Sequence, residues 1–88
     1  MNIEVWFHGS LEECATRKRM VDLADGASLG ALIDWLSEEY GAELKREIER
    51  AEENYIMLNG NYCTLSSERN KPLQDGDIVA FIPILTGG

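Results

Sequence analysis

Ser28-Leu29-Gly30-Ala31-Leu32-Ile33-Asp34-Trp35-Leu36-Ser37-Glu38-Glu39-Tyr40-Gly41 is the stretch that decides the fold. Leu29, Leu32, Ile33, Leu36 and Tyr40 follow one another at spacings of 3, 1, 3 and 4, which on a helix of 3.6 residues per turn makes a single apolar stripe. Ser28 is placed to cap the first turn, and Gly41 is a helix stop because it lacks a Cβ. One helix with one stripe calls for one complementary apolar face, and the economical way to supply it is a sheet.

The flanking segments supply that sheet. Ile3-Glu4-Val5-Trp6-Phe7-His8 alternates, with Ile3, Val5 and Phe7 on one side and Glu4, Trp6 and His8 on the other, which predicts a half-buried strand over 3–8. Gly9-Ser10 interrupts it. Arg19 to Leu23 predicts a second strand in which Met20 and Asp22 face away from Val21 and Leu23, ended by Asp25-Gly26. After the helix, residues 42–53 are rich in Glu, Lys and Arg, and Leu44 and Ile48 stand four apart, the pattern of a short surface helix with a solvated face. Tyr55-Ile56-Met57-Leu58 reads as a strand and Asn59-Gly60 as a tight turn, since both turn residues tolerate positive φ; Tyr62-Cys63-Thr64 is the return strand. Ser66 to Asp77 is polar and turn-rich, and Ile78 to Ile82 forms the last strand before Pro83. The predicted class is α+β, a mixed sheet packed against one main helix.

Composition narrows the function. At 88 residues and 44% apolar content the chain holds one domain, with little room for a deep enclosed active site. Sixteen acidic against eight basic residues give a net charge of −8, and Arg17-Lys18-Arg19 is the only dense basic cluster, so nucleic acid and anionic membrane surfaces are not the expected partners. Neither a secretory leader nor a run approaching the ~20 apolar residues of a membrane span is read, and a cytoplasmic location is expected. Two cysteines and one histidine do not make a four-ligand zinc site, and Cys14 and Cys63 are too far apart for a CxxC motif. Both read as free thiols, Cys63 as small buried strand filler. His8 has no visible partner that would make it a general base.

The sequence stops at Gly87-Gly88, just past an apolar strand and a proline. At a Gly usage of about 7%, a terminal pair arises by chance in roughly one chain in 200. Two residues without Cβ atoms make a narrow thread that passes a tight channel and leaves the terminal carboxylate accessible. That carboxylate is anionic at neutral pH and a poor electrophile, so another protein must activate it; adenylation by ATP supplies the leaving group. The plainer alternative is a frayed end without a role.

Gln74-Asp75-Gly76-Asp77-Ile78-Val79-Ala80-Phe81-Ile82-Pro83-Ile84-Leu85-Thr86-Gly87-Gly88 resembles the C-terminal signature of the MoaD/ThiS family of ubiquitin-like sulfur carriers. Leu58-Asn59-Gly60 resembles that family's strand-and-turn segment, and the opening strand with the Leu29 to Tyr40 helix is similar to its β-grasp layout. The resemblance implies a β-grasp domain over 1–83 and an extended tail over 84–88. It also implies a cycle in which a ubiquitin-activating-type enzyme, using ATP and magnesium, adenylates the Gly88 carboxylate and a persulfide donor converts it to a thiocarboxylate. The tail then enters the large subunit of a molybdopterin synthase, and sulfur passes to a pterin precursor. Gly88 carries the cargo, Gly87 permits access, and the catalytic acids and bases belong to the partners; this chain binds no cofactor and acts as a non-catalytic carrier subunit.

The resemblance also implies a docking surface beside the tail: Trp6 and His8 from the first strand, Ala80 and Ile82 from the last, Tyr62 after the Asn-Gly turn, and Pro83, Ile84, Leu85 and Thr86 in the tail itself. The alternative is that Trp6, Tyr62 and Ile82 complete or cover a core. Trp35 and Tyr40 read as helix packing. Two further functions fit the same residues. One is a ubiquitin-like modifier whose Gly88 is joined to lysines, or a carrier for transfer RNA thiolation; the other is a non-covalent β-grasp interaction module.

Overall fold

The computed structural model describes residues 1–9, 11–50 and 55–82. Five strands, β1 (Asn2–Phe7), β2 (Lys18–Asp22), β3 (Tyr55–Leu58), β4 (Asn61–Thr64) and β5 (Ile78–Ile82), form one mixed sheet in the order β2-β1-β5-β3-β4. β5 is central, parallel to β1 and antiparallel to β3, while the two hairpins pair β1 with β2 and β3 with β4. Among the described residues there are four helices: α1 (Leu11–Cys14), α2 (Leu29–Tyr40), α3 (Ala42–Arg50) and α4 (Leu65–Glu68). This is the expected α+β architecture, a ubiquitin-like β-grasp.

The apolar stripe lands where its spacing put it. Leu29, Leu32, Ile33 and Leu36 of α2 are fully buried against Ile3, Val5 and Phe7 of β1, Val79 and Phe81 of β5, and Ile56 of β3. Ser28 Oγ accepts from the Ala31 N–H at 3.2 Å, and Gly41, at φ 105°, donates its N–H to the Ser37 carbonyl at 2.8 Å. Gly30 sits inside the helix where Arg69 passes close by: its N–H donates to the Arg69 carbonyl at 3.0 Å, and a Cβ there would stand 3.1 Å from the side-chain Cγ of Arg69 and 3.4 Å from its carbonyl oxygen. Tyr40 and Trp35 pack, as expected. The Tyr40 ring meets Phe7 edge-on at 6.0 Å, and the Arg19 guanidinium lies over both Trp35 and Tyr40 while bonding Tyr40 Oη at 3.0 Å and Glu39 at 3.1 Å.

α3 confirms a helix after Gly41, and its two apolar residues, Leu44 and Ile48, are core residues. Its charged face is clipped to neighbours by Lys45–Asp34 at 2.8 Å and Arg69–Glu49 at 2.7 Å, exposed pairs that orient the helix more than they stabilise it. The expected end of this helix at 51–53 lies outside the described residues.

Three strands differ from expectation by a residue at an end. β1 runs Asn2–Phe7 and not 3–8, β2 runs Lys18–Asp22 and not Arg19–Leu23, and β4 begins at Asn61 and not at Tyr62. Two short helices stand where only loops are expected. α1 buries Leu11 under the core, and α4 is capped by Thr64, whose Oγ1 accepts from the Ser67 N–H at 3.4 Å. Cys63 is partly buried and donates its thiol hydrogen to the Ile56 carbonyl at 3.3 Å, so it packs on the helix side of β4 but does not fill a sealed site.

Candidate functional site

The sheet has a second face, turned away from α2, and its composition follows from strand alternation. Register connects Lys18 of β2 to Trp6 of β1, Trp6 to Ala80 of β5, Ala80 to Met57 of β3, and Met57 to Tyr62 of β4. These five side chains form one row across all five strands. A parallel row one step away joins Met20, Glu4 and Ile78. Met20 is 56% exposed, Tyr62 66% and Ile78 43%, so large apolar groups face outward at both edges and in the middle of the sheet of a small, strongly acidic domain.

Trp6, Tyr62, Ala80 and Ile82 are therefore brought to one face, as the resemblance implied. Ala80 lies on this face between Trp6 and Met57 and is only 8% exposed, occluded by those larger neighbours in the row. His8 is exposed but lies one residue beyond the end of β1, its backbone N–H donating to the Phe81 carbonyl at 3.2 Å. Pro83, Ile84, Leu85, Thr86, Gly87 and Gly88 lie outside the described residues. Met57 and Met20 were not among the expected contacts, although each alternates with a core residue, Ile56 and Val21, and that signal was sufficient to place them outward.

One margin of the face is polar. The Trp6 indole N–H donates to Glu4 Oε2 at 2.8 Å, and Lys18 Nζ lies 5.1 Å from the indole centroid and 3.4 Å from Glu4 Oε1. The indole N–H, with help from Lys18, holds the Glu4 carboxyl below its ordinary pKa despite the opposing cost of desolvation. This clamp fixes the indole plane against the sheet and leaves the row from Trp6 to Tyr62 as a preformed apolar surface with an ionic border.

The Asp75-Gly76-Asp77 turn fixes where β5 starts. Asp75 Oδ1 accepts from the Asn2 N–H at 2.7 Å, Gly76 donates to the Asn2 carbonyl at 2.8 Å, and Asp77 accepts from Asn59 Nδ2 at 2.9 Å. Asn59 Oδ1 accepts from the Ile78 N–H at 2.8 Å. The start of the central strand is thus tied to β1 and to the β3–β4 turn, and Ile82 at its end is held in register with Tyr55. A shallow cleft of about 230 Å³ lies on the other side of that turn, between Leu29, Leu58, Lys71 and Leu73. Among the described residues no group of three His, Cys, Asp or Glu side chains converges as metal ligands. What the arrangement offers is a binding face next to the end of the central strand.

The profile of the ThiS family matches residues 5–88, from the first strand to the last glycine. The chain belongs to the ThiS family. The molybdopterin synthase sulfur carrier subunit of Mycobacterium tuberculosis is 30% identical over 90 residues, an alignment that covers 100% of this chain and 99% of that protein. Ubiquitin-related modifier 1 of Candida glabrata is 26% identical, covering 100% of this chain and 99% of its own length. Among solved structures, the complex of subunits 1 and 2 of the molybdopterin-converting factor from Helicobacter pylori contains a chain that superposes with a TM-score of 0.64 at 27% identity, covering 100% of both chains. The ThiS-family assignment places this chain among the ubiquitin-fold sulfur carriers. Among the described residues no helix is long and apolar enough to cross a membrane.

Proposed function

We propose that this chain is the sulfur-carrying small subunit of a molybdopterin synthase. The observation that carries the reading is the family match, which runs through Gly87-Gly88 and so includes the residues that the chemistry needs. The named molybdopterin relative and the subunit complex support it.

In this reading the Gly88 carboxylate is the cargo site. It is anionic and unreactive at neutral pH, so an adenylating enzyme of the ubiquitin-activating type uses ATP and magnesium to form the acyl-adenylate. The outer sulfur of a persulfide donor attacks the carbonyl carbon and expels AMP, and a thiol of the partner then cleaves the S–S bond of the resulting acyl persulfide, leaving a disulfide on the partner and a thiocarboxylate on Gly88. The large synthase subunit then receives the tail. Trp6, Met57, Ile82 and Tyr62 dock on that subunit, Glu4 and Lys18 orient the indole, and the glycines slip through a channel that a side chain would block. The net charge of −8 selects partners with basic rims and speeds encounter with them. The cycle runs in the cytoplasm.

Deletion of Gly88 in a strain that depends on this chain abolishes molybdenum cofactor synthesis while the purified domain stays folded. Normal cofactor levels with the truncated chain contradict the reading. The full-length alignment with a ubiquitin-related modifier favours a second reading, conjugation of Gly88 to lysines, which predicts recovery of the chain in high-mass adducts.

A further inference from the structure

The strand at the opposite edge from β4 has a property that its position makes usable. Among the described residues β2 is bonded to β1 alone, so half of its backbone groups face out of the sheet. The Phe7 N–H donates to the Arg17 carbonyl and the Leu23 N–H to the Met1 carbonyl, both at 2.9 Å. Residues 17 and 23 therefore point toward β1, and by the two-residue period so do Arg19 and Val21. The outward N–H and C=O groups belong to Lys18, Met20 and Asp22.

These three residues are self-complementary. When β2 is laid antiparallel to a second β2 with Met20 opposite Met20, Lys18 falls opposite Asp22 and Asp22 opposite Lys18. All three positions carry outward backbone groups, so the same register forms the ladder bonds and brings unlike charges together on one face. Edge strands usually resist such pairing with charges that would meet their like. Here the opposite charges stand equally far from the centre. Met20, 56% exposed, sits at the two-fold axis. The Asp22 side chain is 86% exposed and that of Lys18 45%, so both are reachable.

We infer that the chain associates with a second copy of itself through β2, giving an isologous dimer with one continuous sheet and Met20 at its two-fold axis. The interface is small and the charge of −8 on each copy opposes encounter, so the dimer is weak and forms at high protein concentration.

Sedimentation equilibrium and amide NMR spectra of the full chain over rising concentration test this. The expected result is a monomer–dimer equilibrium with concentration-dependent shifts confined to residues 17–23. Asp22→Lys alone, or Lys18→Asp alone, weakens the dimer roughly tenfold by opposing like charges at both contacts. An equimolar mixture of the two variants restores it, because every contact between position 18 of one and position 22 of the other is then unlike. Met20→Pro removes an outward N–H at a position where an edge strand tolerates proline, and abolishes the dimer with the monomer spectrum otherwise retained. A chain that stays monomeric to its solubility limit overturns the proposal. So does a dimer that survives Met20→Pro, fails to recover in the mixture, or maps to the Trp6–Tyr62 row.

Discussion

Trp6 and Tyr62 stand in one cross-strand row, on β1 and β4, with Ala80 and Met57 between them. Four strands from three separate stretches of the sequence meet in that row, so its shape is a property of the assembled sheet. Ile82 lies on the same face at the end of the central strand. Ile82→Lys therefore places a charge in the proposed docking face and removes no core residue. Binding to the large subunit should weaken at least tenfold in titration calorimetry, with the thermal midpoint within a few degrees of the parent. Loss of the folded spectrum in this variant would assign Ile82 to the core instead.

Asn59 joins conformation and hydrogen bonding at a single position. Its φ is 52°, and its side chain accepts from the Ile78 N–H and donates to Asp77. Asn59→Ala loses both bonds and leaves a β-carbon residue without local support in the left-handed region, at a cost of about 1–3 kcal/mol. In a domain of this size each kcal/mol lowers the thermal midpoint by about 4–8 °C, which a melting curve resolves. Asn59→Gly should recover part of the loss, since it restores the conformation without the bonds. An unchanged midpoint for Asn59→Ala would contradict the role given to this turn.

The Glu4 clamp makes an acid-side prediction. Its carboxyl is depressed in the folded chain, chiefly by the Trp6 indole N–H, so its contribution to stability is present above the ordinary glutamate pKa and is lost as pH falls through the lower folded value. Trp6→Phe removes the donor. The Glu4 carboxyl should then titrate nearer its ordinary range in a carbon-13 NMR titration, and the acid-side loss of stability assigned to it should shrink. A titration curve for Glu4 that does not move would show that Lys18 alone sets its pKa.

How much of this was legible beforehand follows from the physics of each element. The α2 stripe and the Asn59-Gly60 turn depend on local periodicity and local φ, and both are written in consecutive residues. α1 and α4 are one turn each, too short to show a period. α1 exists because Leu11 is buried by the core, a fact of the tertiary structure, whereas α4 rests on a local signal, Thr64 capping the Ser67 N–H, that polar surroundings without a period leave inconspicuous. The face of Trp6 was readable from alternation in β1. The cover over Ala80 was not, because it depends on Met57 arriving from a strand whose neighbour in the sheet the sequence does not name. The self-complementarity of β2 likewise appears only once β2 is known to be an edge.

Both thiols should be sluggish nucleophiles. Burial raises the Cys14 pKa, with Glu43, Glu47 and Glu13 adding to the effect, and burial raises that of Cys63, with Glu68 adding and Lys71 opposing. At neutral pH the folded chain should react with iodoacetamide more slowly than the same chain in urea, and the rate should climb as pH is raised. Equal rates in both states would show that the fold does not shield these cysteines.

That slowness makes the decisive measurement clean. The chain, isolated from its native host under mild conditions, is weighed intact before and after brief alkylation at neutral pH, and its C-terminal peptide is fragmented. The account predicts a population in which one oxygen of the Gly88 carboxylate is replaced by sulfur and in which that sulfur takes the alkyl group ahead of Cys14 and Cys63. A chain that carries only an ordinary carboxylate at Gly88, in cells actively making the cofactor, would contradict it.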